Sequence, residues 1–251
     1  MRKVKTLIRL LLSNFSWFID KPKRFKLKNV SDDIIVIANG PSLKETDLNG
    51  LEHITKIGMN RIYLSTRNDL KVDVLVVINK LIIEQYKNEI CELDIPVITK
   101  WEFRKYFPRN KDNIYFVKGT ISSLLIKWPN FVLFGHTVTN VALQLALSSK
   151  SKSIHIVGMD HNFKAADIND RNREEVRSED IDLDHFLPNY FPKGSRWETP
   201  DLISSEREYL IIKKHSENIN KNIYDCTING NCNVFIKKNW INQKEKMIIN
   251  G

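Results

Sequence analysis

The chain has 251 residues, of which 42% are hydrophobic, and it carries a formal net charge of +9 at pH 7. This length is sufficient for a substantial core in one domain, or in one domain with a small subdomain. No stretch reaches the ~18 uninterrupted apolar residues of a membrane-spanning helix. The three cysteines lack C-x-x-C spacing, which argues against a disulfide framework and the common zinc motifs. We therefore expect a cytoplasmic protein.

The first 30 residues are predicted to form a basic amphipathic helix and a linker, ahead of a single nucleotide-binding α/β domain over residues 31–251. Apolar residues between Val4 and Ile19 recur every three or four positions, which is helical spacing. Residues 1–30 contain nine lysines and arginines against the single acid Asp20, so the remaining chain is nearly neutral and is not expected to bind nucleic acid.

Two interpretations of this N-terminal helix stay open. It could lie on the inner face of the cytoplasmic membrane, with residues 21–28 meeting anionic lipid and three aromatic side chains at the headgroup boundary. It could instead dock on the protein's own core or on another subunit of a homo-oligomer. The aromatic residues concerned are Phe15, Trp17 and Phe18.

Beyond residue 33, short apolar runs alternate with amphipathic helical patterns. Such alternation predicts a Rossmann-like, mostly parallel sheet with helices on both faces. The polar, charge-dense stretch 164–184 begins a predicted lid that extends to about residue 200. The predicted strands are 34–38, 54–59, 72–78, 95–99, 114–117, 154–157 and 222–227, and the predicted helices are 81–93, 137–148 and 202–218.

The first predicted strand ends abruptly in the polar turn Asn39-Gly40-Pro41-Ser42. Gly40 would let a ligand approach the main chain, Pro41 would rigidify the corner, and Ser42 could cap the next element. Ligands of open α/β sheets bind at the carboxyl ends of the strands, so the turn predicts a phosphate site. An ordinary strand-to-helix turn is the alternative.

Further polar residues follow the other predicted strands, where an α/β site is assembled. Neutral amides and hydroxyls can recognise a nucleotide without a metal ion. Thr137 stands at a predicted helix start, where it could cap the helix and leave N–H groups for a phosphate. Asp160 could bind ribose or receive a proton, although it could also simply form a turn. These residues are Asn39, Asn60, Asn79, His136, Thr137 and Asp160-His161-Asn162.

A second cluster of titratable and aromatic residues spans 182–197. His185 is its best general base because imidazole titrates near neutrality, and Asp182 or Asp184 could orient it. Cationic and phenolic groups of this cluster could stabilise a leaving phosphate, namely Tyr190, Lys193 and Arg196. Alternatively, the aromatic residues only anchor a loop. Walker A, H-E-x-x-H, G-x-S-x-G and G-x-G-x-x-G motifs are absent, D-x-D is absent near the third predicted strand, and no metal site is predicted.

Several short motifs together resemble a bacterial family described as 6-hydroxymethylpterin diphosphokinase MptE-like, found in surface-polysaccharide loci. The resemblance covers residues 33 to about 240. It extends to Campylobacter-type sialyltransferases and motility accessory factors through the N-G-P-S turn and the later G-x-D. The motifs are Asn39-Gly40-Pro41-Ser42-Leu43-Lys44, Gly58-Met59-Asn60, the helix start Thr137-Val138-Thr139-Asn140, Gly158-Met159-Asp160-His161, Asp184-His185-Phe186, Asn189-Tyr190-Phe191 and Arg196-Trp197.

The resemblance implies a glycosyltransferase A-like variant of the fold and a metal-independent transfer from a CMP-activated, sialic-acid-like sugar to a glycan acceptor. It implies that Asn39 to Ser42, Asn60 and Asn79 bind the donor, with Thr137 and Thr139 at the helix start. Asp160 would lie beside the ribose or sugar, Tyr190 would contact phosphate, and His185 would deprotonate the acceptor. One alternative is a 6-hydroxymethyl-dihydropterin diphosphokinase that uses ATP and Mg²⁺, and another is a non-catalytic nucleotide-sugar-binding protein.

Overall fold

The computed structural model describes residues 17, 20, 22–28, 30–120, 126–163 and 173–250. An eight-stranded sheet has the order β10-β9-β6-β1-β2-β3-β4-β5, and all its pairings are parallel. A separate antiparallel pair joins β7 and β8. The strands are β1 Asp33–Ile37, β2 Thr55–Met59, β3 Val74–Val76, β4 Val97–Lys100, β5 Ile114–Val117, β6 Ser153–Val157, β7 Glu174–Val176, β8 Arg196–Glu198, β9 Asn222–Asp225 and β10 Ile236–Lys237.

Four α-helices whose bounds lie within the described residues cover the sheet: α1 Lys80–Glu92, α2 Val138–Leu147, α3 Leu202–Asn218 and α4 Trp240–Asn250. The predicted Rossmann-like, mostly parallel fold is therefore confirmed. The seven predicted strands and three predicted helices are present with small shifts of their ends. The sequence analysis did not predict α4, the β7–β8 pair, β10 or the four 3₁₀ helices Pro41–Lys44, Ile62–Leu64, Asn68–Leu70 and Trp101–Tyr106.

Strand β1 is buried on both faces, which explains its continuous apolar sequence. Ile34 and Val36 belong to a core cluster shared with α2 and α3, and Ile35 and Ile37 to a cluster on the other face, shared with α1 and α4. All four side chains are fully buried. Helices thus lie on both faces, as the sequence predicts.

The sheet reverses its strand order at β1, because β2 pairs with one side of β1 and β6 with the other. Ligands of open α/β sheets bind in the crevice at such a switch point, outside the carboxyl ends of the strands. Here the two loops that leave β1 and β6 are joined by a backbone hydrogen bond of 2.8 Å from Gly40 N–H to the Gly158 carbonyl. The turn singled out in the sequence therefore stands at the expected place of a ligand site.

The described part of the N-terminal segment packs on the protein. Trp17 is buried with its ring 5.5 Å from that of Trp101, and Trp128 Nε1 donates to the Phe25 carbonyl at 2.9 Å. The proposed place of Trp17 at a lipid headgroup boundary is therefore wrong, because its indole fills a cleft of the domain. Residues 1–16, which carry most of the predicted amphipathic helix, and Phe18 lie outside the described residues. Within the described helices, none is long and apolar enough to cross a membrane.

The predicted lid at 164–200 falls into two parts. Residues 164–172 lie outside the described residues. In the second part, Phe186, Tyr190, Phe191 and Trp197 join the core cluster that contains α1. This packing places the segment 182–197 firmly beside the switch point.

Candidate functional site

A cavity of about 160 Å³ lies at the switch point between β1 and β6. It brings together seven of the residues expected to bind the donor or to take part in catalysis, contributed by five different segments of the chain. Two of them carry buried amide oxygens, Asn39 Oδ1 and Asn60 Oδ1, that have no hydrogen-bond partner within the described ranges. A ligand N–H or O–H group would satisfy such atoms. The seven are Asn39, Gly40, Asn60, Thr137, Thr139, Asp160 and His185.

Asp160 occupies the space that the missing side chain of Gly40 leaves open. A Cβ at Gly40 would lie 1.9 Å from Asp160 Oδ2. The carboxylate accepts hydrogen bonds from Ser42 N at 2.9 Å and Ser42 Oγ at 2.8 Å. Gly40 thus accommodates Asp160, whereas the sequence predicted that it admits a ligand. Ser42 holds Asp160 and caps no helix, since the 3₁₀ helix after Gly40 starts at Pro41 without a side-chain cap. Neither Pro41 nor Ser42 lines the cavity.

Burial raises the pKa of the Asp160 carboxyl, although hydrogen bonds from Ser42 act in the opposite direction. The folded state then holds the proton more tightly than the unfolded chain does, so ionising Asp160 costs stability. The wild type should lose stability as the pH rises from the ordinary aspartate pKa, ~3.9, through the raised pKa of Asp160. We therefore expect the melting temperature of Asp160→Asn to rise relative to that of the wild type over this pH range. Melting curves of both proteins across pH 3.5–7 test this, because the other titrating groups cancel in the difference. A pH-independent difference would contradict it.

Helix α2 points its N-terminus at the cavity. Thr137 is the N-cap, as predicted, and its Oγ1 accepts from Thr139 N–H at 3.3 Å. Tyr209 of α3 donates to the same oxygen at 3.3 Å. The cap is thus fixed by a second helix, which holds the positive end of the α2 dipole at the wall of the cavity.

His185 is held by a buried carboxylate. Its Nδ1 lies 3.0 Å from both oxygens of Asp182, whose side chain is fully buried. A carboxylate only accepts, so Nδ1 carries the proton and Nε2 is left as the basic nitrogen. The imidazole also stacks on the Tyr190 ring at 4.1 Å with the planes 4° apart. Of the two aspartates proposed to orient His185, Asp182 is the one that contacts it.

Asp182 has further partners that keep it ionised. It accepts from Asp184 N–H at 3.0 Å and from Phe191 N–H at 3.3 Å, and Arg177 Nη2 lies 3.4 Å away. Burial alone would raise the pKa of Asp182, but the hydrogen bond to His185, the charges of His185 and Arg177 and the backbone donors lower it overall. The carboxylate is therefore available as a fixed acceptor for Nδ1–H.

Three residues expected to bind the donor are already engaged elsewhere. Asn79 Oδ1 accepts from Leu81 N–H and Ile82 N–H, which makes Asn79 the N-cap of α1. Tyr190 is buried, and its hydroxyl oxygen accepts from Arg61 N–H at 3.1 Å. Arg196 forms ion pairs with Glu84 at 2.9 Å and Glu174 at 3.1 Å.

These engaged residues still line a small cleft of about 110 Å³ that also contains Asn60 and His185. Burial raises the pKa of the Tyr190 phenol, so it stays protonated. Lys193, the third group proposed for the phosphate, pairs with Asp180 at 3.3 Å on the surface. A phosphate contact by Tyr190 would use its own O–H, since its oxygen already accepts from Arg61, whereas a contact by Arg196 would compete with its two carboxylate partners.

Sequence reasoning missed several residues of the cavity wall. Pro200, Leu202, Ser205 and Tyr209 come from the start of α3 and the loop before it. The amphipathic pattern of α3 predicts which of its residues face inward, but no local signal tells which of these meet the ligand cavity. His136 and His161, which the sequence analysis did single out, also line the cavity, and burial lowers the pKa of His161.

Among the described residues, no group of three or more His, Cys, Asp or Glu side chains is arranged to hold a metal ion. Asp160 and Asp184 line the cavity, and Asp182 lies behind His185. Asp160 oxygens accept from Ser42, and the buried Asp182 is bonded to His185 and to the Asp184 N–H. They do not form an open carboxylate pair of the kind that Mg²⁺ in a phosphoryl-transfer site requires.

The family model described as 6-hydroxymethylpterin diphosphokinase MptE-like matches residues 7–166. This range is more than half of the chain, and it contains the N-G-P-S turn, Asn60, the start of α2 and Asp160. No curated protein matches the chain.

Two solved structures have a similar fold. The MAf glycosyltransferase from Magnetospirillum magneticum AMB-1 matches with a TM-score of 0.52 and 12% identity, over 91% of this chain and 38% of that chain. The chain thus spans well under half the length of that protein. The sialyltransferase CstII from Campylobacter jejuni, solved with a substrate analogue, cytidine-5'-monophosphate, matches with a TM-score of 0.50 and 14% identity, over 84% of this chain and 86% of that chain. The similarity of fold to glycosyltransferases, expected from the motifs, is confirmed.

Proposed function

Because the chain belongs to the 6-hydroxymethylpterin diphosphokinase MptE-like family and has a glycosyltransferase-like fold, we propose that it is a metal-independent glycosyltransferase. The donor is a CMP-activated, sialic-acid-like sugar, and the acceptor is a cell-surface glycan assembled on the cytoplasmic side of the membrane. This donor is suggested by CstII, whose structure contains cytidine-5'-monophosphate.

The observation that carries the proposal is the orientation of His185 at the switch-point cavity. Asp182 holds Nδ1, and no contact within the described residues occupies Nε2. A base presented in this way, beside unpartnered amide oxygens and a helix N-terminus, suits the transfer of a group from a nucleotide to a hydroxyl.

The reaction is a displacement at the anomeric carbon of the donor. The acceptor oxygen forms the new bond to that carbon, the bond from the carbon to the phosphate oxygen breaks, and His185 Nε2 takes the acceptor proton. CMP leaves with the bonding electrons. The N-terminus of α2 stabilises the developing negative charge, and Asn39 Oδ1 and Asn60 Oδ1 accept from the nucleotide.

The diphosphokinase activity named in the family description is the second candidate. It requires Mg²⁺ to neutralise the transferred phosphates. Asp160 and Asp182 fit such a site poorly because both are committed to neighbouring donors, so we derive no step through a metal ion.

Thermal unfolding with nucleotides discriminates between these candidates. At 100 times the dissociation constant a ligand adds about 2.7 kcal/mol, which for a chain of this size raises the melting temperature by roughly 5–10 °C. We expect CMP in EDTA to produce such a shift, and UDP and ATP with or without Mg²⁺ to produce less. Stabilisation by ATP that depends on Mg²⁺ would support the diphosphokinase. CMP binding without consumption of any CMP-sugar would favour a non-catalytic binding protein.

A further inference from the structure

A second cleft, of about 410 Å³, adjoins the switch-point cavity. The two share Asn60, His136, Thr137, Val138 and Pro200 in their walls. The volume lies within the range of small-molecule sites, roughly 300–1,000 Å³. A ligand that fills both spaces would pass Asn60 close to His185. The second cleft is therefore placed to bind a molecule that receives a group from the bound nucleotide.

Lys100 is the unusual residue of this cleft. It ends β4 and is partly buried. Its Nζ lies 4.8 Å from the centre of the Phe134 ring and 5.6 Å from that of Phe103. No carboxylate of the described chain reaches ion-pair distance, although Glu102 and Glu198 are near enough to oppose the effect of burial, which lowers the pKa of the ammonium. Among the described residues, this partly buried cation contacts aromatic rings and has no carboxylate at ion-pair distance.

The other charged groups of the cleft have partners or stand at its rim. Lys80 is 62% exposed at its side chain and pairs with Glu84 at 3.3 Å. His136 Nδ1 lies 3.9 Å from Asp201, and Glu198 is exposed to solvent. The N-terminus of α2 contributes Thr137 and Val138 to the same wall and adds positive potential opposite Lys100.

We propose that this cleft is the acceptor subsite and that Lys100 binds an anionic group, a carboxylate or a phosphate, on the acceptor sugar. The identification as an acceptor subsite rests on the proposed function, whereas the anion site itself does not. The ligand's anion supplies the counter-ion that the described residues do not place beside Lys100. An acidic saccharide is thereby selected over a neutral one.

The test is an NMR-detected titration of the full chain, in EDTA and saturating CMP, with glucose, glucuronate and glucose 6-phosphate as probes. We expect at least one acidic sugar to bind the wild type ten-fold or more tightly than glucose. The comparison of glucuronate with glucose 6-phosphate identifies the preferred anion. The Lys100→Met variant should bind the acidic sugars no more tightly than it binds glucose, and its affinity for CMP should be unchanged.

Lys80→Met is the matched control, since it removes a lysine of the same cleft that already has a carboxylate partner, and it should keep the preference. Equal binding of all three sugars to the wild type would overturn the proposal, whether or not the variants fold. Undiminished binding of acidic sugars by Lys100→Met would also overturn it. If CMP fails to bind but the acidic sugars bind through Lys100, the proposed function is wrong and the anion site stands.

Discussion

Replacing His185 with alanine is expected to lower the turnover of a CMP-sugar at saturating donor by about 10²–10⁴-fold, the usual contribution of a general base. The structure leaves Nε2 as the basic nitrogen at the cavity, because Nδ1–H is bound to Asp182. Without it, the acceptor hydroxyl has to lose its proton to water as the new bond forms. Release of CMP, measured with and without acceptor, gives the rate.

The control for His185→Ala separates catalysis from folding and binding. His185 stacks on Tyr190, so the stabilisation by CMP should be measured for the same variant and is expected to remain. His53→Ala is the matched control substitution. His53 is exposed and precedes β2, at the amino ends of the strands, whereas the cavity lies at their carboxyl ends. The loss of the His53 imidazole should leave turnover unchanged. Full turnover by His185→Ala would exclude His185 as the base.

The sheet could be predicted because its strands are buried on both faces and so read as continuous apolar runs. Helix α4 was not predicted, because its short amphipathic pattern does not show which of its apolar residues pack on the domain. Trp240 and Met247 are buried, but Ile241, Ile248 and Ile249 are exposed. Its position depends on distant contacts such as the hydrogen bond of 2.8 Å from Trp240 Nε1 to the Asp47 carbonyl. Local pattern carries no information about such contacts.

The candidate site was predictable in its location and less so in the roles of its residues. Residues after parallel strands share one edge of the sheet whatever their separation in sequence, so Asn39, Asn60 and Asp160 could be grouped correctly. Roles depend on which polar atoms are already bonded. Ser42 bonds Asp160, which lies 118 positions away, and Arg61 bonds Tyr190, 129 positions away. These pairings leave no trace in local sequence, and they commit the Ser42 hydroxyl as a donor and the Tyr190 hydroxyl as an acceptor.

The pairing of Asp182 with His185 leads to a further prediction of large effect. Asp182→Asn keeps the shape but removes the carboxylate, so the amide can donate to Nδ1 and favour the tautomer in which Nε2 carries the proton. A histidine in that tautomer cannot accept from the hydroxyl. We expect turnover to fall by about ten- to a thousand-fold, below the ~10⁴ of the corresponding change in a serine-protease triad. The affinity for CMP should be unchanged.

A positioning role for Asp182 differs from a merely structural one in a spectroscopic readout. In ¹⁵N-histidine spectra the wild type should show protonated Nδ1 at His185, and Asp182→Asn should shift the population toward protonated Nε2. Asp180→Asn is the matched control, because Asp180 is 80% exposed at its side chain and pairs only with Lys193 among the described ion pairs. If Asp182→Asn lowered turnover with no change of tautomer and a lower melting temperature, Asp182 would act through folding alone. If a buried carboxylate orients the base, the single substitution Asp182→Asn has to change both the turnover and the tautomer of His185.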